Sequence, residues 1–211
     1  MMKTSFKLAT LAVTLISGTA MAANELYIPN YAYHSQDVRN VSTKVHVTYE
    51  DSGDTLNFGG QYGINGVAAV GLDYRNWDGG NDSDTFNING QYNINQNVVI
   101  HGSYDFDAAN QLTVGGKYVM PVSFGIVDLG ANYLNSNSDD TLEFEAGLLV
   151  PIELFYYRGD VSYQTDAGEE FRFGNKFGWS NGQVDANLSL NYVDAKHWDD
   201  TFFGFEVDYY F

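Results

Sequence analysis

Residues 201–211, TFFGFEVDYYF, show the pattern from which the fold is predicted. Within this stretch Phe203, Phe205, Val207, Tyr209 and Phe211 alternate with small or polar residues, apart from Tyr210. A period of two, apolar on one side and polar on the other, is typical of a β-strand that separates two environments. The pattern recurs at strand length along most of the chain, without a helical stretch to cover the apolar faces. A closed barrel in lipid, apolar outside and polar inside, accounts for it most simply.

The first 22 residues predict a secretory signal peptide. Lys3 and Lys7 precede an apolar run over residues 8–16, and Ala20-Met21-Ala22 supplies small residues for cleavage after Ala22. The apolar run is too short for a membrane-spanning helix, which needs about 20 residues. No later segment approaches that length, so insertion into a membrane would have to use strands.

Composition narrows the function classes. The chain has 27 acidic and 10 basic residues, a formal net charge of −17, which argues against nucleic acid as a partner. It has no cysteine, which excludes disulfides, thiolate metal ligands and cysteine nucleophiles. The 16 Tyr and 14 Phe suit the aromatic girdles of a membrane barrel.

Alternation bounded by turn residues predicts an all-β fold: a transmembrane, antiparallel, up-and-down β-barrel, most simply of twelve strands, with ten or fourteen as alternatives. The predicted strands cover residues 41–50, 54–63, 67–76, 84–94, 97–107, 110–120, 124–133, 140–150, 153–163, 169–179, 184–194 and 201–211. Tight turns are predicted at Asn65-Gly66, Asn95-Gln96, Pro121-Val122, Pro151-Ile152 and residues 180–182. The intervening loops are longer on average and more acidic. Short periplasmic turns and longer outer loops are usual in such barrels, so both termini would face the periplasm.

The phase of the alternation assigns each side chain to a face. We expect outward positions to lack Asp, Glu, Lys and Arg, with Asn175 as an outward polar residue and a bulge near residues 123–126. The inward charged positions hold twelve acidic and six basic residues, which predicts an acidic interior that favours cations. The predicted pore-lining residues are Lys44, His46, Asp73, Arg75, His101, Asp105, Asp107, Lys117, Asp128, Glu143, Glu145, Arg158, Asp160, Arg172, Lys176, Asp185, Glu206 and Asp208.

These features resemble the outer-membrane β-barrel proteins of Gram-negative bacteria. The resemblance rests on the signal peptide, on strands of roughly ten residues, and on the terminal Phe211 with Tyr209 two positions before it. The resemblance implies a cell outer-membrane location in contact with lipid and lipopolysaccharide. It also implies delivery by periplasmic chaperones, and an assembly signal at Tyr209 and Phe211 that the barrel-assembly machinery reads.

Twelve strands with short loops are similar to the small monomeric porins of the oligogalacturonate-porin group, which implies a monomer. Those channels are lined by basic residues suited to acidic sugars, whereas this interior is predicted to be acidic. Their substrate therefore does not carry over to this chain.

The predicted function is a porin for passive diffusion of small, preferentially cationic or neutral solutes. We predict no cofactor and no enzymatic activity for this protein. One alternative is a non-conducting structural or adhesion barrel, whose acidic loops bind divalent cations, lipopolysaccharide or a phage. A barrel hydrolase is a third reading, but no local motif marks a nucleophile and its base.

Two further segments bear on function. Asp78, Asp82 and Asp84 offer carboxylate oxygens of the kind that hard cations prefer, but the loop lacks the full calcium-loop spacing with its terminal Glu. They are therefore only weak metal candidates, and no metal site is predicted. Residues 23–40 precede the predicted barrel, residues 41–211, and could extend the first strand, trail in the periplasm or fold into the lumen as a plug.

Overall fold

Twelve antiparallel strands form a closed barrel. The structure is a computed structural model that describes residues 36–51, 54–77, 83–106, 110–136, 140–165, 170–196 and 198–211; the predicted signal peptide lies outside them. The strands are β1 (Lys44–Glu50), β2 (Thr55–Ile64), β3 (Ala68–Trp77), β4 (Ser83–Asn93), β5 (Val98–Phe106), β6 (Leu112–Val122), β7 (Gly125–Asn135), β8 (Asp140–Ile152), β9 (Phe155–Gln164), β10 (Glu170–Ser180), β11 (Val184–Ala195) and β12 (Trp198–Tyr210).

Each strand pairs with its neighbours in sequence, and β1 pairs with β12 to close the sheet. The predicted up-and-down barrel of twelve strands is thereby confirmed. Within the described residues, no helix is long and apolar enough to cross a membrane.

The outer surface is apolar and the interior polar, as the alternation predicts. On β11, Leu188 is 64% exposed on the outer surface, whereas Asp185 is fully buried. Aromatic rings cover neighbouring outward positions: Phe58, Tyr74 and Phe86 on β2, β3 and β4 make tilted ring contacts with centroids 5.2 and 5.3 Å apart. An exposed apolar surface that surrounds the whole barrel is suited to hydrocarbon and costly in water.

Asn175 lies on the outward face, as predicted, between Phe173 and Phe177 on β10. The hydroxyl of Tyr157, on the neighbouring strand β9, donates a hydrogen bond of 2.6 Å to the Asn175 Oδ1 atom. An amide in an apolar environment is costly unless it is paired, and this contact supplies a partner.

The prediction of an uncharged outer surface is wrong at the loop ends of the strands. Asp84, Asp140 and Asp194 occupy outward positions and are exposed there. Two of them accept hydrogen bonds from the adjacent strand, Asp84 from the Asn76 amide and Asp140 from the Asn135 amide. The alternation alone does not reveal where the apolar band stops, and a carboxylate beyond that band can remain in water.

Two tight turns lie two residues beyond the predicted positions. Pro121-Val122 and Pro151-Ile152 still belong to β6 and β8, and the turns are residues 123–124 and 153–154. Proline is tolerated near a strand end because it removes one N–H donor only. The predicted bulge near residues 123–126 is also wrong, because β6 and β7 pair without interruption up to Val122 and Gly125. Phe124 lies in the turn between β6 and β7, so its side chain does not take part in the alternation of either strand.

A lysine on the outer surface should destabilise the barrel more than a lysine inside it. We expect Leu188→Lys to lower the free energy of unfolding by about 2–4 kcal/mol, because the ammonium group would face lipid near the middle of β11. Urea titration of protein folded into lipid vesicles measures the change. Ser189→Lys, one residue along and facing the interior cavity, is the matched control and should cost clearly less. Equal losses would contradict the assignment of the two faces.

Candidate functional site

A cavity of about 920 Å³ occupies the half of the barrel interior nearest the loops. Its described lining contains five acidic and five basic residues, so its formal charge balances. They are Glu50, Glu143, Glu145, Asp160 and Glu206, and Arg75, Lys117, Arg158, Arg172 and Lys176. Threonine, serine and asparagine side chains supply much of the remaining surface. The cavity is thus a polar compartment, but it lacks the acidic surplus that was predicted for the interior as a whole.

Part of that surplus lies closer to the tight turns, where three carboxylates are buried. Asp128, Asp185 and Asp208 are at most 1% exposed. Lys44 Nζ donates to Asp208 Oδ1 at 2.8 Å, and the Tyr156 hydroxyl donates to Asp185 Oδ1 at 2.7 Å. A buried carboxylate requires such partners, because desolvation of an unpaired charge is expensive.

Arg158 and Lys117 organise the ion pairs at the base of the cavity. Arg158 Nη2 lies 2.6 Å from Asp160 Oδ1 and 3.1 Å from Asp128 Oδ2. Lys117 Nζ lies 2.7 Å from Glu145 Oε2 and 4.0 Å from Asp128 Oδ1. Because Asp128 lies between the two cations, the three strands β6, β7 and β9 are connected through one carboxylate.

Amide side chains link the remaining acidic residues. Asn132 donates from Nδ2 to Glu143 Oε2 at 2.8 Å and to Glu145 Oε1 at 2.9 Å. Its Oδ1 atom lies 2.9 Å from His101 Nε2, so that ring nitrogen is the donor. The amide therefore separates two carboxylates that would otherwise repel each other, and it fixes the imidazole.

A second amide network lies on β1, β3, β4 and β5. Asp73 accepts from the Asn89 amide at 2.5 Å and contacts His46 Nε2 at 2.8 Å. Asp105 accepts from the Asn87 amide at 2.7 Å. These acidic residues are held by amides and imidazole rather than by Lys or Arg.

Gly178 makes room for an interior contact that passes over a whole strand. The ring of Tyr156, on β9, lies over Gly178 on β10 and reaches Asp185 on β11. A Cβ atom at position 178 would overlap that ring. An inward glycine therefore allows a side chain to extend over a neighbouring strand inside the barrel.

Lys176 Nζ pairs with Glu206 Oε2 at 3.0 Å, and the more exposed Arg172 pairs with Glu170.

Among the remaining predicted residues, Arg75 lines the cavity, whereas Asp107, Asp78 and Asp82 lie outside the described residues. No group of three His, Cys, Asp or Glu able to hold a metal ion occurs in the described part of the chain.

Sequence reasoning missed three residues that shape the interior: Asn132, Tyr156 and Gln36. Asn132 and Tyr156 occupy inward positions that the alternation identifies. Neither is charged, whereas all but two of the predicted interior residues are. Gln36 precedes the first strand and carries no periodic signal.

The terminal aromatic residues lie beside the tight turns. Tyr209 and Phe211 meet edge to face with their centroids 5.1 Å apart, and both are exposed. Tyr209 faces outward, and its hydroxyl accepts a hydrogen bond from the Gln183 amide at 2.9 Å.

Comparison with known proteins supports the fold. The KdgM porin superposes with a TM-score of 0.62 at 9% identity, covering 81% of this chain and 99% of that protein. The KdgM porin in complex with disordered oligogalacturonate gives 0.65 at 10% identity, with the same coverage. The NanC porin gives 0.58 at 8% identity, covering 81% of this chain and all of that protein.

No protein-family model matches the chain, and no curated protein matches its sequence. At these identities the likeness establishes a shared β-barrel fold and no more. The identities are too low to carry a solute from those porins over to this chain.

Removal of Arg158 should destabilise the barrel strongly, because Asp128 would lose a hydrogen-bonded cation while buried. We expect Arg158→Met to lower the free energy of unfolding by about 3–5 kcal/mol. Urea titration in lipid vesicles measures it. Arg172→Met is the matched control, since that arginine is half-exposed beside Glu170, and should cost about 1 kcal/mol or less.

Addition of Asp128→Asn to Arg158→Met should recover part of the loss, because the buried negative charge disappears. If the double variant is less stable than Arg158→Met alone, the loss does not arise from an unpaired Asp128.

Proposed function

We propose that this protein is an outer-membrane channel for passive diffusion of small neutral or cationic solutes. The observation that carries the proposal is the polar cavity of about 920 Å³ inside a barrel whose outer surface is apolar. A closed barrel satisfies its backbone hydrogen bonds internally and can cross a bilayer, while its interior stays wet. The shared architecture with solved porins supports the same reading.

The proposed solute preference follows from how the interior charges are arranged. On the cavity surface five acidic residues balance five basic ones, and several of them form ion pairs, so neutral solutes meet no strong barrier. The buried carboxylates Asp185 and Asp208 lie beneath this surface with Lys44 as their nearby cation. Their charge makes the potential in the lumen more negative and favours cations over anions.

The same proposal includes the surroundings of the barrel. The apolar outer surface would contact outer-membrane lipid and lipopolysaccharide, and the exposed pair Tyr209 and Phe211 would present the assembly signal to the barrel-assembly machinery after delivery by periplasmic chaperones. We propose a monomer and no enzymatic activity.

One observation favours a non-conducting structural or adhesion barrel instead. Near the tight turns, interior positions are filled by apolar side chains that are at most 2% exposed. A lumen permanently filled at that end would conduct nothing. The function of such a barrel would then lie in its acidic loops.

Single-channel recording from refolded protein in a planar bilayer, under a potassium chloride gradient, tests the channel. We expect discrete current steps with a reversal potential that weakly favours potassium. Glu50→Gln with Glu143→Gln should shift the reversal potential toward chloride, since both side chains line the cavity. Arg75→Gln with Arg172→Gln is the matched pair of opposite sign and should shift it toward potassium.

Circular dichroism and resistance to urea establish that each variant is folded. Identical reversal potentials in all three proteins would contradict conduction along this cavity. Silence in folded wild-type protein would favour a lumen that is filled at its tight-turn end, as in the non-conducting barrel.

A further inference from the structure

We propose that residues 36–42 form a strap that crosses the interior of the barrel at its tight-turn end and closes the channel there while it is seated, so that current flows through the wild-type protein only when the strap is displaced. This inference rests on the proposed channel function. The strap leads directly into β1 at Lys44, so it stays attached to the barrel wall whether it is seated or displaced.

The barrel wall holds the strap by its backbone. Four carbonyl oxygens of the strap accept hydrogen bonds from inward side chains on three strands: Gln36 from Arg158 (2.9 Å), Val38 from Gln91 (2.7 Å), Arg39 from Asn93 (2.8 Å) and Ser42 from Gln61 (2.8 Å). Because β2, β4 and β9 supply the donors, the strap is bound from widely separated parts of the wall. Such contacts recognise the backbone of the segment rather than its side chains.

An apolar patch lies beneath the strap. Val38 packs against the interior cluster Val99, Val119, Ile126, Leu149 and Tyr156, whose members are 0–2% exposed. In a lumen that stayed open to water, inward aliphatic side chains would be hydrated, at a cost of about 25 cal/mol for each Å² of apolar surface. Burial of the cluster shows that the interior is dry at this level, with Val38 among the groups that cover it.

The wall is also shaped to fit the strap. A Cβ atom at Gly63, on β2, would collide with the carbonyl oxygen of Val41. The Gly63 N–H donates to Thr43 Oγ1 at 3.1 Å, directly after the strap. Only glycine at position 63 permits so close an approach, because any larger residue would push the chain off the wall.

The strap lies in the path of a solute. Gln36 lines the cavity and, through its carbonyl, contacts Arg158 at the cavity base. At the other side, Arg39 forms an ion pair of 2.6 Å with Asp37 and donates to the carbonyl of Gln96, in the turn after β4. The segment therefore extends from the base of the cavity to the rim of the tight turns, and a solute leaving the cavity toward that rim meets it.

Two variants should open the channel without altering the cavity walls nearest the loops. Val38→Asp places a carboxylate against the apolar patch, and Gln61→Ala with Gln91→Ala and Asn93→Ala removes three of the wall donors. We expect a several-fold rise in single-channel conductance or open probability in each. Gln183→Ala removes an exposed amide at the same end of the barrel and should leave the currents at the wild-type level.

Cysteine labelling locates the strap independently of conduction, since the chain has no cysteine of its own. A bulky, membrane-impermeant maleimide should modify Val38→Cys many-fold more slowly than Gln183→Cys in the folded barrel. Loss of the three wall amides should remove most of that difference. Equal labelling rates of the two variants in the intact barrel would contradict the proposal that the strap lies inside the barrel.

The outcomes separate the two proposals. If both opened variants fold and conduct like wild-type protein, the proposed closure by the strap is wrong, and the proposed channel function is retained. If they fold and stay silent, the channel proposal fails and the closure fails with it. A rise in conductance together with faster labelling supports both.

Discussion

The pairing of β1 with β12 closes the sheet, and both the membrane-facing surface and the interior follow from that closure. Seven consecutive residue pairs, from Lys44 with Tyr210 to Glu50 with Gly204, join the first strand to the last. Without this contact two strands would present unpaired N–H and C=O groups, which is prohibitive in hydrocarbon. Closure also creates an inside, and the alternating side chains are thereby separated into an outer apolar surface and an inner polar one.

An interior closed in this way imposes its own requirement, since charges placed there must find partners within the barrel. Arg158, Lys117 and Lys44 each contact a carboxylate that is at most 1% exposed. Inward glycines such as Gly178 give the room in which long side chains cross neighbouring strands. The network thus contributes to a defined shape as much as to stability, because a buried ion pair roughly offsets its own desolvation.

The strands and their faces could be predicted because lipid and water select opposite residues at every second position. Leu188 and Asp185 show this on one strand. The limits of the apolar band could not be predicted, and the prediction of an uncharged outer surface is therefore wrong at Asp84 and Asp140. The proline turns were placed two residues early because proline alone does not distinguish a strand end from the turn that follows it.

Contacts across the lumen could not be predicted from the sequence, for a different reason. The partner of Tyr156 is 29 residues away on β11, and the partner of Gln36 is 122 residues away. Periodicity assigns each residue a face but says nothing about which inward side chains meet. The same limit applies to the strap, since residues 36–42 have no alternation and are recognised through their backbone.

The interior changes character along the barrel axis, and this change links the cavity to the strap. Toward the loops the inward positions are charged or polar and line a cavity. Toward the tight turns, aliphatic side chains also point inward, beside the buried carboxylates Asp128, Asp185 and Asp208; they are those of Val99, Val119, Ile126 and Leu149. A wall built only to conduct water-soluble molecules has no use for aliphatic side chains on its inner face. A wall that receives a peptide segment does, because apolar contact there stabilises the seated segment while the amides fix its backbone. The apolar patch and the backbone donors are therefore two parts of one binding surface, and the polar cavity beyond them is the compartment that this surface closes.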